Sequence, residues 1–150
     1  MFDAVFLLAT SSDVYGGCRQ GGFHEDELGG SHRDATLGMR QKAYRVAEAA
    51  TTSTAHTHDT RARIARLFNA YGPLTEPGTG AVTVLLSQAM RGAPLTVQGD
   101  GSQTRTFVYV DDAAHALVRL LRPDRTLPGA VNMAVVLPPA PTDARLTHQA

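Results

Sequence analysis

Short apolar runs alternate with helix-favouring segments along this chain. Residues 4–10 ("AVFLLAT") and 62–68 ("ARIARLF") are apolar enough to form strands that are covered on both faces, as in a parallel sheet. Residues 35–54, which lie between them, are rich in Ala, Arg, Gln, Lys and Glu and predict a helix. Alternation of strands and helices predicts an α/β fold with a mostly parallel sheet.

The second half of the chain predicts shorter elements. Residues 81–92 form a helix that ends at Gly92, and residues 129–136 form a last strand. Residues 94–98 and 104–110 are two short strand candidates, and the "GDGS" turn between them has strong hairpin chemistry. No internal repeat or domain linker is visible. Residues 1–135 therefore form one folded unit, and residues 136–150, which are proline-rich and aperiodic, form a loose tail.

The clearest predicted helix spans residues 111–123. Two aspartates stand at its start, where the helix dipole favours negative charge, and arginines stand in its last turn. The helical period predicts an apolar stripe that consists of Ala114, Leu117, Val118 and Leu121.

Composition removes several classes of function. Among 150 residues the formal net charge is zero, which argues against a nucleic-acid binder and against a protein anchored on an anionic membrane. The single cysteine, Cys18, excludes an internal disulfide and favours a cytoplasmic location. No apolar run reaches membrane-spanning length, and the first ten residues lack a basic leader, so we interpret them as part of a buried strand.

Two segments carry candidate chemistry. "ATSSDVYG" (residues 9–16) places hydroxyls and a carboxylate directly after a buried strand, where ligands bind in open α/β sheets; a polar turn that caps the next element is the alternative. "GDGSQTRTFVYVDD" contains Arg105, a side chain suited to a diphosphate, although an exposed arginine on a surface hairpin explains the same spacing. "HTHD" (residues 56–59) has no third cluster at metal-site spacing, so we expect no metal.

Together these segments resemble the NAD-dependent epimerase/dehydratase family, the extended short-chain dehydrogenase/reductases that act on nucleotide sugars. "TSSDVYG" is similar to the family's T/S-T-S-E-V-Y-G, and "RIARLFNAYGP" to R-I-A-R-I-F-N-T-Y-G-P. Residues 87–121 follow the family pattern almost position by position, and within the family they most resemble the UDP-glucuronate decarboxylases. The resemblance covers roughly residues 4–134 and implies NAD as cofactor, a UDP-sugar as substrate and a Rossmann-like fold.

The resemblance also implies a set of site residues. Ser11 corresponds to the hydroxyl that orients the C4 oxygen of the sugar, and Ser12 and Asp13 correspond to residues that flank the reacting hexose. Asp13 replaces the usual glutamate and is one methylene shorter. Family members oxidise C4 of the sugar by hydride transfer to NAD. In the decarboxylases the resulting 4-keto acid then loses carbon dioxide, and the hydride returns to the sugar.

Three further positions correspond to the family's nucleotide-sugar site. Asn69 would hold the nucleotide sugar, Arg105 would clamp its diphosphate, and Tyr109 would line the same pocket. At Ala81 a substrate-binding arginine of the family pattern is lost, and at residues 132–135 "NMAV" replaces N-x-G-N.

The helix "LGMRQKAYRVAEAA" (residues 37–50) departs from the family at its most important positions. The family has Tyr-x-x-x-Lys, whose spacing puts both side chains on one face, about 40° apart. Tyr44 is the candidate catalytic tyrosine and Lys42 the candidate cofactor-binding lysine, but they lie about 200° apart around a helix. Alignment on "RVAE" instead puts Tyr44 at the lysine position and Arg40 at the tyrosine position, and no register restores the pair.

The resemblance implies a partial Rossmann-like fold that lacks the N-terminal dinucleotide-binding half, since no G-x-G-x-x-G motif follows a strand. We therefore expect that this chain alone does not turn over substrate. Two other interpretations stay open. The chain is a nucleotide-sugar binding module or half-enzyme, completed by a homodimer or a complementing chain, or it is a truncated remnant without activity.

Overall fold

The computed structural model describes residues 4–16, 23–26, 38–97, 99–101, 104–122 and 129–135. Their helices and strands are, in chain order, β1 (Val5–Ser11), a 3₁₀ helix (Ser12–Tyr15), α1 (Met39–His58), β2 (Arg61–Leu67), β3 (Asn69–Tyr71), α2 (Ala81–Met90), β4 (Phe107–Tyr109), α3 (Val110–Leu120) and β5 (Ala130–Met133). Cys18 and the predicted tail at 136–150 lie outside the described residues. None of the helices in the described part is long and apolar enough to cross a membrane.

Within the described residues the main sheet has three strands in the order β1-β2-β5, and all of them are parallel. Val5 is paired with Arg61 and Ser11 with Leu67, while Leu67 is also paired with Met133. The three strands therefore end together, and the residues that follow them share one edge of the sheet. This arrangement confirms the predicted α/β fold with a mostly parallel sheet.

The two faces of the main sheet are covered by different helices. On one face, Leu120 of α3 packs with Ala65 of β2 and Met133 of β5 in a core cluster. The opposite face, which carries the alternate residues of each strand, contacts α1 through Glu48. The connection from β1 to β2 contains α1, and the connection from β2 to β5 contains α3, so the two connections cross opposite faces of the sheet. Each connection moves the chain one strand in the same direction. The two crossovers therefore have opposite handedness.

The predicted stripe of α3 is wrong by one residue. The buried and half-buried positions are Ala113, Ala116, Leu117 and Leu120, while Val118 and Leu121 are exposed. The observed set has the predicted spacing but is displaced by one position, which is about 100° around the helix. The helix starts at Val110, directly after β4 and without a linker, so the strand sets its rotation.

The predicted hairpin around "GDGS" is also wrong. β4 pairs in parallel with β3, from Asn69↔Phe107 to Tyr71↔Tyr109, in a separate two-stranded sheet, and residues 94–97 form no strand. Edge-to-face contacts of Tyr71 with Phe107 and Tyr109, at 6.1 and 5.6 Å between ring centroids, stabilise the parallel pair. A distant partner therefore replaced the local one that the turn chemistry favoured.

Candidate functional site

The loop after β1 places its polar side chains at the carboxyl edge of the main sheet, as the sequence predicts. Ser11 caps the 3₁₀ helix, because its Oγ accepts a hydrogen bond of 3.1 Å from the backbone N–H of Asp13. Gly16 ends the helix at a φ of 79°, a conformation that glycine adopts without steric cost. Ser11, Ser12 and Asp13 thus lie on one short, locally hydrogen-bonded turn next to the end of β2.

Helix α1 brings an arginine to this loop. Arg40 Nη1 lies 3.9 Å from Asp13 Oδ2, and the two side chains are 78% and 40% exposed, so this ion pair contributes little stability. Lys42 and Tyr44 lie on the same uninterrupted helix, where Lys42 is exposed and Tyr44 half-buried. They project in different directions and do not form the Tyr-x-x-x-Lys pair that the family resemblance implies. The described residues of α1 therefore do not fit the cofactor.

A buried ion pair joins α1 to β2. Arg66 and Glu48 are 3% and 4% exposed, and Arg66 Nη2 lies 2.9 Å from Glu48 Oε2 while its Nε lies 3.2 Å from both carboxylate oxygens. Thr10 Oγ1 donates a further hydrogen bond of 2.6 Å to Glu48 Oε1. Burial acts to lower the pKa of the guanidinium, but the hydrogen bonds with Glu48 and Tyr15 outweigh it and raise the pKa of Arg66. Arg66 therefore stays charged.

Arg66 also reaches the loop after β1 through Tyr15. Its Nη1 donates to Tyr15 Oη at 2.7 Å and to the carbonyl of Glu25 at 2.8 Å, and Tyr15 in turn donates to Asn132 Oδ1 at 2.7 Å. The Tyr15 ring stacks on Phe23 at 4.6 Å. Asn132 Nδ2 donates to the carbonyl of Phe23 at 3.1 Å. This polar network binds the ends of β1, β2 and β5 to one another at the sheet edge.

A cavity of about 530 Å³ lies beside α2 and β4. Its wall combines the N-terminus of α2, the segment before β4 and β4 itself, through Gly78, Gly80, Ala81, Val84, Leu85, Thr96, Val97, Gly101, Arg105 and Phe107. The volume is within the range of small-molecule and cofactor sites.

The lining of this cavity combines apolar side chains with groups that attract negative charge. Val84, Leu85, Val97 and Phe107 supply apolar surface against which a planar ring can lie. In addition, α2 begins after Gly80 with no acidic residue in its first turn, and Arg105 lines the same cavity. Helix N-termini and arginine both favour phosphate oxygens, so the combination suits a nucleoside diphosphate.

One wall of the cavity is held by a side-chain amide. Gln88 Oε1 accepts from the backbone N–H of Thr96 at 3.0 Å, and Gln88 Nε2 donates to Thr96 Oγ1 at 2.8 Å. This two-point contact fixes the segment that carries Val97 against α2 although the segment forms no strand. It explains why a stretch predicted as a strand is ordered in another way.

The other two predicted binding residues lie on the paired strands β3 and β4 but outside the cavity wall. Asn69 Nδ2 donates to the carbonyl of Thr106 at 2.8 Å, and Tyr109 contacts the ring of Tyr71. Arg105 lines the cavity, whereas Asn69 and Tyr109 do not. Among the described residues no group of three potential metal ligands occurs.

Sequence reasoning missed the buried network. β2 has the sequence RARIARL, and Arg66 is a buried arginine of that strand. A charged residue between apolar neighbours in a predicted buried strand is a signal that could have revealed its ion pair. It also missed Gln88 and Thr96, for which a spacing of eight residues offers no local signal.

Comparison with known proteins identifies the family to which the sequence is similar. The model of the NAD dependent epimerase/dehydratase family matches residues 2–134. UDP-glucuronic acid decarboxylase 6 of Arabidopsis thaliana is 37% identical over 126 residues, which are 83% of this chain and 37% of the relative. UDP-glucuronic acid decarboxylase 1 of Danio rerio is 34% identical over 126 residues, which are 83% of this chain and 30% of that relative.

Solved structures confirm the partial Rossmann-like fold. UDP-glucuronic acid 4-epimerase from Bacillus cereus, in complex with UDP-glucuronic acid and NAD, superposes with a TM-score of 0.68 at 25% identity. The match covers 87% of this chain and 40% of the epimerase. The chain thus spans well under half the length of the relatives it matches. Since the family model matches nearly the whole chain, the chain belongs to the NAD-dependent epimerase/dehydratase family.

Proposed function

We propose that this chain binds a UDP-sugar and does not complete the redox cycle of its family by itself. The observation that carries the proposal is the cavity beside α2, which joins an apolar wall to a helix N-terminus and Arg105. The uracil ring would lie against Val97 and Phe107, and the diphosphate between Arg105 and the first turn of α2. The sugar would extend toward Asn69, Tyr109 and the loop Ser11–Asp13.

UDP-glucuronate is the proposed ligand because the relatives at 33–37% identity are UDP-glucuronic acid decarboxylases. The chain spans only 37% of the first of these relatives, so their ligand is carried over to it only as part of this proposal. NAD supplies the hydride chemistry of the family, and the described residues of α1 do not provide the tyrosine–lysine pair that would serve it. In this chain Arg40 replaces the tyrosine that would exchange a proton with the C4 hydroxyl, and Tyr44 replaces the cofactor lysine, when the helix is aligned on residues 45–48.

A half-enzyme is the second candidate function, and the edge of the main sheet favours it. Among the described strands β1 is an outer strand of that sheet, and Phe6 on it is exposed. An outer strand with exposed apolar side chains can accept a further parallel strand. A completing polypeptide, either a second copy or another chain, would then bring the dinucleotide loop.

The single cysteine and the nucleotide-sugar ligand fit a cytoplasmic location.

The test is a calorimetric titration of the purified chain with UDP and with UDP-glucuronate. We expect Arg105→Ala to weaken UDP binding by about tenfold to a hundredfold, because hydrogen bonds to charged groups contribute about 1.5–3 kcal/mol. Arg119→Ala removes the same charge from the exposed side of α3 and is expected to leave binding unchanged. Ala81→Arg restores the family's arginine at the cavity wall and is expected to tighten binding.

Two results would contradict the proposal. If UDP produces no heat change and no shift of the thermal midpoint at millimolar concentration, the cavity is not a nucleotide site, since a ligand specific for the folded state must raise that midpoint. If Arg105→Ala and Arg119→Ala weaken binding equally, the attraction is a general charge effect. Formation of UDP-xylose by the chain with added NAD would refute the claim that it does not turn over alone.

A further inference from the structure

We infer that Tyr15 is a positioning residue that holds the loop Ser11–Asp13 where the sugar of the ligand would lie. The inference rests on the proposed function, because it concerns the sugar end of the same site. Its structural basis is the buried ion pair Glu48–Arg66. The two residues of this pair form hydrogen bonds with the chain both before and after the loop.

The first attachment precedes the loop. Thr10 is the residue directly before Ser11, and its hydroxyl donates to Glu48 at 2.6 Å. Thr10 and Glu48 are both 4% exposed, so this hydrogen bond is shielded from water. Shielded hydrogen bonds to a charged acceptor are among the stronger ones in proteins.

The second attachment follows the loop. Tyr15 is the last residue of the 3₁₀ helix and receives a hydrogen bond of 2.7 Å from Arg66. Its hydroxyl also donates to Asn132 on β5, so both its donor and its acceptor functions are used. The guanidinium carbon of Arg66 lies 5.1 Å from the centre of the Tyr15 ring. Tyr15 therefore has a fixed position relative to β2 and β5.

A third contact closes the loop against α1. Arg45 Nε donates to the carbonyl of Val14 at 2.7 Å, and Val14 has no exposed surface. The three residues between Thr10 and Val14 are thus confined between fixed points on two strands and a helix. Ser11, Ser12 and Asp13 themselves are only half-buried, so they are available to a ligand while their backbone is held.

Such a loop is organised before the ligand arrives. The cost of ordering a binding loop is subtracted from the affinity of any group that contacts it, so a loop held in advance increases the contribution of those contacts. The cavity beside α2 is built from other elements and does not include Tyr15, Asn132 or the loop. Loss of the Tyr15 hydroxyl should therefore affect the sugar and leave the nucleotide unaffected.

The experiment compares Tyr15→Phe with the unmodified chain in titrations with UDP and with UDP-glucuronate. The substitution keeps the ring that stacks on Phe23 and removes only the hydroxyl. We expect the affinity for UDP-glucuronate to fall by about threefold to tenfold, and the affinity for UDP to change by less than about twofold. Asn132→Ala removes the acceptor of the same hydroxyl and is expected to change the ratio of affinities in the same direction.

Thr57→Val is the matched control. It removes a hydroxyl that is hydrogen-bonded to the carbonyl of Ser53 at 2.9 Å on the exposed surface of α1, and it should leave both affinities unchanged. A thermal melt of each variant, followed by circular dichroism, establishes that it is folded at the titration temperature.

Each remaining outcome counts against the inference. If Tyr15→Phe keeps the ratio of the two affinities, or lowers both equally, Tyr15 has a structural role alone. If the unmodified chain binds UDP and UDP-glucuronate with the same affinity, the sugar does not reach the loop, and the inference fails while the nucleotide site stands. If neither ligand binds, the proposed function fails and the inference fails with it.

Discussion

The substitution Glu48→Gln tests the energetic role of the buried ion pair. It keeps the size of the side chain but leaves the Arg66 guanidinium, 3% exposed, without its counter-charge. Removing one partner of a buried pair costs about 3–5 kcal/mol, whereas surface pairs such as Arg40–Asp13 contribute about 0–1 kcal/mol. Since domains of this size are stable by only about 5–15 kcal/mol, this loss is a large share of the total.

The assay is thermal and urea denaturation followed by circular dichroism, because the chain has no tryptophan. At about 2–4 °C per kcal/mol for a chain of this length, we expect the midpoint to fall by about 6–20 °C. Asp13→Asn breaks the surface pair and serves as the control, with an expected shift of less than about 4 °C. A loss below about 1 kcal/mol for Glu48→Gln would refute the reasoning, because it would mean that water solvates Arg66.

The pH dependence of this effect follows from the raised pKa of Arg66. A group whose pKa is raised on folding contributes its stability fully below its unfolded pKa and loses it only as the pH rises through the folded value. For an arginine both values lie far above neutrality, so the difference between Glu48→Gln and the unmodified chain should be constant between about pH 6 and 9. A difference that disappears within this window would show that another group controls the pair.

Two further substitutions test the core and the cavity wall. Met133→Ala removes a side chain that is 7% exposed in the core under α3 and should lower the free energy of unfolding by about 2–5 kcal/mol. The control Met90→Ala, at a side chain 80% exposed, should change it by no more than about 0.5 kcal/mol, and equal losses in urea denaturation would place Met133 outside the core. Gln88→Ala releases Thr96 and should weaken UDP binding by about twofold to tenfold in calorimetry, and an unchanged affinity would show that this contact does not shape the cavity.

The location of most helices and strands was readable from local sequence. The apolar runs at 4–10 and 62–68 became β1 and β2 with shifts of one residue. The prediction that both strands are covered on both faces is wrong for β1, because Phe6 on that strand is 57% exposed. The aspartates at 111 and 112 stand in the first turn of α3, as their charge predicts. The motif resemblance identified the family and, at Arg105, one residue of the cavity wall.

What the sequence by itself determined is therefore the set of local elements and the family, since apolar periodicity, capping charge and motif spacing act within a few neighbouring residues. Only the tertiary structure decided which elements meet. It paired Asn69 with Phe107 in place of a local hairpin, turned α3 by one residue, and joined Thr10, Glu48 and Arg66 from three elements into one buried network. Glu48 and Arg66 are 18 positions apart in the chain, and Thr10 and Glu48 are 38 positions apart. Contacts over such separations depend on packing and desolvation, which no local pattern encodes.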